Sequence, residues 1–175
     1  MKTVLKFSGI IAFVLAVVAF ILMMATTSVV YTTNVNVPGI GSGSHSSSVS
    51  GTVGIFGDDH FAAPWAGLIA WILIIVALLI LCSAIVLPLL KVKALDKFAG
   101  ILNLVAVIAL VVAGVFMFLE VTAWTAANGD GSYSLGSALN GSYSLGAGWV
   151  IAGIISIVAG VVAVLPAAAD FLDKK

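Results

Sequence analysis

The sequence predicts an all-α integral membrane protein, a four-helix transmembrane bundle with a small β-prone extracellular loop region. Three observations carry that class. Of 175 residues, 62% are hydrophobic and 8% charged, where a soluble domain is roughly 45–50% apolar and about 25% charged. A soluble fold of this length leaves too much area in water to hide such a composition. The apolar residues fall into four runs, each near the roughly 20 residues a helix needs to cross a hydrocarbon core. Finally, every lysine lies at one end of those runs, and every tryptophan and tyrosine lies toward the other. The chain reads as a single membrane domain, residues 1–175.

The first run spans Phe7 to Tyr31, with no charge after Lys6. A signal peptide is the rival reading, because Lys2 and Lys6 make a basic start. Signal cores are usually about 7–15 residues; this run is longer, and Ala25-Thr26-Thr27-Ser28 is a poor cleavage site, so a retained helix is expected. The stretch 32–64 is polar and rich in Gly and Ser. Within it, 29–37 and 48–56 alternate and flank the turn-like Pro38-Gly39-Ile40-Gly41-Ser42-Gly43-Ser44, which suggests a β-hairpin. An isolated hairpin is marginal in water, so this one is expected to rest on another loop or a partner.

Pro64 precedes the second run, 65–90; proline suits a first helical turn, where its missing N–H is not needed. Alanine recurs at positions 63, 70, 77 and 84, a seven-residue spacing that keeps Ala70, Ala77 and Ala84 toward one neighbour. Pro88 should bend or end this helix. The turn 91–97 carries Lys91, Lys93 and Lys97 and leads to the third run, 98–124, with small residues at Ala99, Ala106, Ala109, Ala113 and Gly114. A second polar stretch, 125–146, repeats Gly-Ser-Tyr-Ser-Leu-Gly at 131–136 and 141–146, as two short strands or two turns. In the fourth run, 147–165, Gly148, Ala152, Ser156 and Gly160 lie four apart, the spacing that lets helix backbones approach closely. Pro166 is expected to end that helix.

The lysines at 2, 6, 91, 93, 97, 174 and 175 assign their side to the cytoplasm. With Asp96, Asp170 and Asp173 that side nets +4, while Asp58, Asp59, Asp130 and Glu120 give the other side −4. Trp65, Trp71, Trp124, Trp149, Tyr31, Tyr133 and Tyr143 form a one-sided belt of the kind that suits headgroup depth. The expected placement is a multi-pass protein of the cell membrane with both termini cytoplasmic.

Glu120 is the one acid inside an apolar run, and an ionisable residue there is a functional candidate by default. It lies about 33 Å along its run, near the outer headgroups, so an interfacial carboxylate hydrogen-bonded to a loop is expected. Asn103 is expected to bond a neighbouring helix, and Cys82 and Ser83 to pack. His45, Asp58, Asp59 and His60 have oxygen and imidazole donors but lack the spacing of a recognisable metal site. Asn140-Gly141-Ser142 matches a glycosylation sequon but reads as a turn. The chain contains no metalloprotease, nucleophile-elbow, P-loop or dinucleotide motif, so no enzymatic activity and no cofactor are expected. No basic cluster suits nucleic acid.

Four spans, both ends inside and a larger strand-prone first outer loop resemble the tetraspan layout of claudins. Trp65-Ala66-Gly67-Leu68 echoes the claudin W-G-L-W signature but sits at the second helix, and the claudin cysteine pair is missing. The layout, with Tyr143-Ser144-Leu145-Gly146-Ala147-Gly148-Trp149 leading into the last helix, is also similar to small four-helix membrane proteins of Gram-positive bacteria. Neither resemblance carries functional residues over. The expected partners are the lipid bilayer and either a second copy or another membrane protein. The alternative is an oligomeric channel or transport subunit lined by Asn103, Ser83, Ser156 or the acidic outer rim.

Overall fold

Alanine and glycine at one-turn spacing let apolar helices approach closely, and that is how this bundle is built. The computed structural model describes residues 2–37, 39, 41–86, 99–129 and 139–172. In chain order the elements are α1 (Lys2–Ala25), β1 (Thr27–Val37), β2 (Gly41–Ser50), α2 (Gly51–Phe56), α3 (Trp65–Val86), α4 (Ala99–Phe118), α5 (Glu120–Asn128), β3 (Leu139–Leu145) and α6 (Ala147–Leu172). Four segments are long and apolar enough to cross a membrane: Phe7–Ala25, Trp65–Val86, Gly100–Phe118 and Ala147–Ala168.

Small residues face inward and large ones outward. Ala12 and Ala16 of α1 meet Ala77 and Leu81 of α3, Ala106, Ala109 and Leu110 of α4, and Ala159 and Ala163 of α6. A second layer nearer the strands gathers Met23, Ile55, Ala70, Ile74, Ala113, Met117, Trp149 and Ala152. Phe7, Leu79 and Val161 are 60%, 64% and 61% exposed. An apolar solvent accepts that arrangement, while water would penalise it by roughly 1.5–3 kcal/mol per large side chain.

Helices α4 and α6 pack closely along their length. A Cβ on Gly114 would stand 2.7 Å from the Gly153 carbonyl oxygen, and one on Gly160 would stand 2.8 Å from Val111 Cγ2. Ser156 Oγ donates to the Leu110 carbonyl at 2.8 Å. Of the small residues singled out in the sequence, Ala70, Ala77, Ala152, Ser156 and Gly160 are buried, while Ala84 and Gly148 are half-buried. Gly148 packs against the Thr26 side chain, not a helix. Gly153, one residue off the expected stripe, is the one whose carbonyl faces Gly114.

Several boundaries differ from expectation. The first helix stops at Ala25, not Tyr31, because Val29–Tyr31 pair with strands on both sides. Thr26 Oγ1 donates to the Leu22 carbonyl at the helix end. The second strand ends at Ser50, not Phe56; Ser50 caps α2 by accepting from the Val53 amide. The third run breaks at Leu119, and Glu120 opens a separate helix. The fourth runs through Pro166 to Leu172, with the proline ring set against Gly9 of α1. Cys82 and Ser83 are exposed on the bundle surface, on the same outward side as Leu79, where Ser83 Oγ donates to the Leu79 carbonyl. Pro88, the 91–97 turn, Asp130, the 131–136 repeat, Asp173, Lys174 and Lys175, for which the sequence raised expectations, lie outside the described residues.

Both polar stretches contribute to one sheet of order β2-β1-β3, antiparallel throughout. The second repeat copy forms most of β3, so Asn140-Gly141-Ser142 is strand, not turn. Pairing on both sides of β1 supplies the third strand that a lone hairpin lacks.

Candidate functional site at the sheet end

Where β1 leaves α1, five elements converge on one carboxyl group. Glu120 is fully buried, and its position follows from the chain break before it. Leu119 turns with φ −83° and ψ −1°, its amide shared between the Val115 and Phe116 carbonyls. The side chain then points between α2 and α3, where two glycines make room. A Cβ on Gly54 would lie 3.4 Å from Oε1, and one on Gly67 would lie 3.0 Å from Oε2. The Gly67 position is also 2.5 Å from the Gly54 carbonyl oxygen and 3.2 Å from Trp149 Cη2. Ser28 of β1 closes the other side of Gly54, its hydroxyl donating toward the Val49 and Ser50 carbonyls.

The sequence suggested a loop-bonded carboxylate at the interface. Instead neither oxygen has a hydrogen-bond partner among the described residues. The Gly67 amide, in the first turn of α3 where helix N–H groups lack intrahelical acceptors, lies near it without good bonding geometry. Glu120 stands beyond the span-length segment of α4. Burial pushes its carboxyl up to about 8, and the Gly67 amide offsets only part of that. Near neutral pH the group is therefore largely a neutral acid.

Aromatic residues seal this layer. Trp149 is fully buried and donates from Nε1 to the Met23 carbonyl at 2.9 Å, fastening α6 to the end of α1. Trp124 is also fully buried, between Phe61 at 5.2 Å and Tyr143 at 6.4 Å. These two rings are core, not members of a headgroup belt: Trp124 is covered by Phe61 of the linker after α2 and Tyr143 of β3, and Trp149 packs among Met23, Ile55, Ala70 and Ile74. Trp65 remains exposed and meets Phe116 edge-on. Tyr31 and Tyr143 face each other across the sheet at 4.9 Å.

A residue the sequence did not flag holds the linker down. Asn128 donates from Nδ2 to the Ala62 carbonyl at 3.1 Å and accepts from the Ala62 amide at 2.7 Å. Its position at the end of α5 gave no signal, since the paired backbone is 66 residues away. Asp58 is engaged in its own turn, accepting from the His60 and Phe61 amides at 2.8 Å each. His45 lies apart on β2, and no group of three potential metal ligands comes together among the described residues. Asn103 is buried within the bundle.

The two faces of the sheet differ. Tyr31, Tyr143, Val29 and Leu145 share the face toward α5. Alternation puts Thr32 on the other face, opposite Ser46 and Ser142. Val30, between Ser48 and Ser144, and Asn34, opposite Ser44, share that face. Among the described side chains it carries hydroxyls, the Asn34 amide and Val30. Beside Asn34, residues Val35, Ser42, Gly43 and Ser44 line an open depression of about 400 Å³.

No protein-family model matches this chain, and no curated protein is similar to it in sequence.

Proposed function

We propose that this chain is a non-enzymatic multi-pass protein of the cell membrane, with both termini cytoplasmic, that works by presenting its sheet on the outer side to a partner. The observation that carries this reading is the joining of two polar stretches, distant in sequence, into one three-stranded sheet with an exposed, uncharged face. The sequence positions of the lysines, which flank the apolar runs at the ends away from the two polar stretches, support the orientation. A claudin-like tetraspan layout is the architecture this reading implies. Partners include a second copy through the lipid-facing helices or another membrane protein.

An oligomeric channel would need Ser83, Ser156, Asn103 or the acidic outer rim to line water. Ser156 is committed to the Leu110 carbonyl and Ser83 to the Leu79 carbonyl, which favours the presenting role. The test is affinity capture of the tagged chain from mild detergent, compared with a Ser44→Lys, Ser46→Lys variant. A partner retained by the first and lost by the second is expected. Identical capture by both, or none by either, would contradict the proposal. Labelling of a Cys82→Ser, Ser46→Cys variant by a membrane-impermeant maleimide on intact cells checks the orientation.

A further inference from the structure

We propose that Glu120 is a proton-operated latch: while it holds its proton, α5 stays closed over the bundle, and when it gives the proton up, α5 swings outward at Leu119 and takes the carboxylate to water. The latch concerns α5 alone; its effect on partner capture rests on the presenting role proposed above.

The way α5 is held makes it the moving part. It buries three residues, Glu120, Ala123 and Trp124, at the spacing of one helix face, while Thr122, Ala126 and Ala127 are exposed. One of its three anchors is thus an ionisable group, and alanine adds little area. The junction with α4 is a break: the Leu119 amide divides between two carbonyls at 3.2 and 3.1 Å. At the far end α5 is held by the two Asn128 bonds to Ala62 and by Trp124 between Phe61 and Tyr143. On the other side of the carboxyl, α2 has no slack. Ser50 caps its start, and a Cβ on Gly51 would stand 2.8 Å from the Thr26 carbonyl oxygen.

The closed site offers a charge nothing. Both carboxyl oxygens are buried without a partner among the described residues, and no cation faces them from any packed element. Helices α2 and α4 carry no titratable side chain, α5 carries only Glu120 itself, and α3 carries only Cys82, toward its other end. From the strands come Tyr31 and Tyr143, whose rings face each other, and the exposed His45. In the linker, Asp58, Asp59 and His60 are exposed. Residues 147–168 of α6 hold no titratable group, and the lysines of α1 are at its start. A buried carboxylate without a partner is far costlier than the neutral acid, and swinging α5 out replaces that cost with hydration. Closed, the carboxyl loses its proton at about 8, against 4.5 when exposed. The open-to-closed ratio therefore rises about tenfold per pH unit between those values and levels off above them. The motion reaches the sheet because Trp124 lies against Tyr143 of β3.

The test is amide hydrogen exchange of the full chain in nanodiscs, from about pH 5 to about pH 8, read as protection so that the intrinsic pH dependence of exchange drops out. In the wild type the amides of residues 124–128 should lose about tenfold in protection per pH unit, and in Glu120→Gln they should stay level. Helices α1 and α6 should keep their protection throughout. Asn128→Ala retains Glu120 and frees the linker, so it should lower α5 protection about tenfold at every pH without changing the slope. A level profile in the wild type, or an equal slope in Glu120→Gln, would overturn the latch. So would loss of protection in α1 and α6 in step with α5, which would mean that the whole bundle loosens. Unchanged protection in Asn128→Ala would overturn α5 as the moving element. Level profiles with partner capture intact would remove the latch and leave the presenting role standing; the expected profiles with no partner captured would do the reverse.

Discussion

Replacing Glu120 with Gln should remove a pH dependence that the wild-type fold carries. The buried carboxyl titrates at about 8 in the folded protein and at the ordinary 4.5 when exposed. Below the lower value both states are protonated and the full stability is present. Between the two values the unfolded chain releases its proton and the folded protein keeps it, so stability falls by about 1.4 kcal/mol for each pH step. By pH 8 the loss is on the order of 4 kcal/mol, and above that both states are ionised and the loss stays constant. Glutamine preserves the shape between Gly54 and Gly67 and never ionises, so the variant should match the wild type in mild acid and exceed it in mild base. Thermal unfolding in nanodiscs across that range reads the difference directly. His45, His60, Asp58 and Asp59 are exposed and common to both proteins, so their contributions cancel. Parallel melting profiles for the two proteins would refute the reasoning, because a carboxyl with water or a cation at hand would not feel the burial.

Asn128→Ala removes both bonds to Ala62 and should lower stability by about 1–3 kcal/mol, read by thermal melting together with faster proteolysis within residues 57–64. Gly153→Val would drive a branched side chain into Phe118 and toward the Gly114 carbonyl, where a Cβ already stands 3.1 Å from the ring and 3.3 Å from the oxygen; a loss of about 1–3 kcal/mol should appear as a lower melting temperature, while Ile154→Val on the exposed side of the same helix should change little. Ser156→Ala deletes one buried interhelical bond and should cost about 1 kcal/mol or less, in line with such bonds in other membrane bundles, measured by the same melt.

The rough extents of four helices long and apolar enough to cross a membrane were legible because long apolar runs with sparse charge favour helix. Strand character in 29–37 was legible from alternation. Boundaries were not, and each miss has a cause in three dimensions. Tyr31 reads equally well as the end of an apolar helix, and only pairing with Ser47 and Tyr143 makes it strand. Residues 51–56 alternate like a strand, but Ser50 can cap them, and Gly51 and Gly54 allow that turn to press against α1 and Ser28. Pro166 looks like a stop signal in isolation, yet α6 runs through it to Leu172 with the ring set against Gly9. Trp124 and Trp149 have the composition of a headgroup belt, and only the linker and β3 over Trp124, and the helix cluster around Trp149, make them core.

By itself the sequence determined the quantities that composition and periodicity encode: span-length helices, a lysine-bearing end, a polar strand-prone end, and the small residues that permit close packing. Tertiary structure alone decided which glycines touch, that the two polar stretches join in one sheet, and that Glu120 is sealed between Gly54 and Gly67. The reason is the range of the forces involved. Hydrophobic run length and helix spacing are local properties, readable within a few turns. Burial of a carboxyl and registry between strands more than a hundred residues apart depend on where distant segments meet, and no local pattern records that meeting.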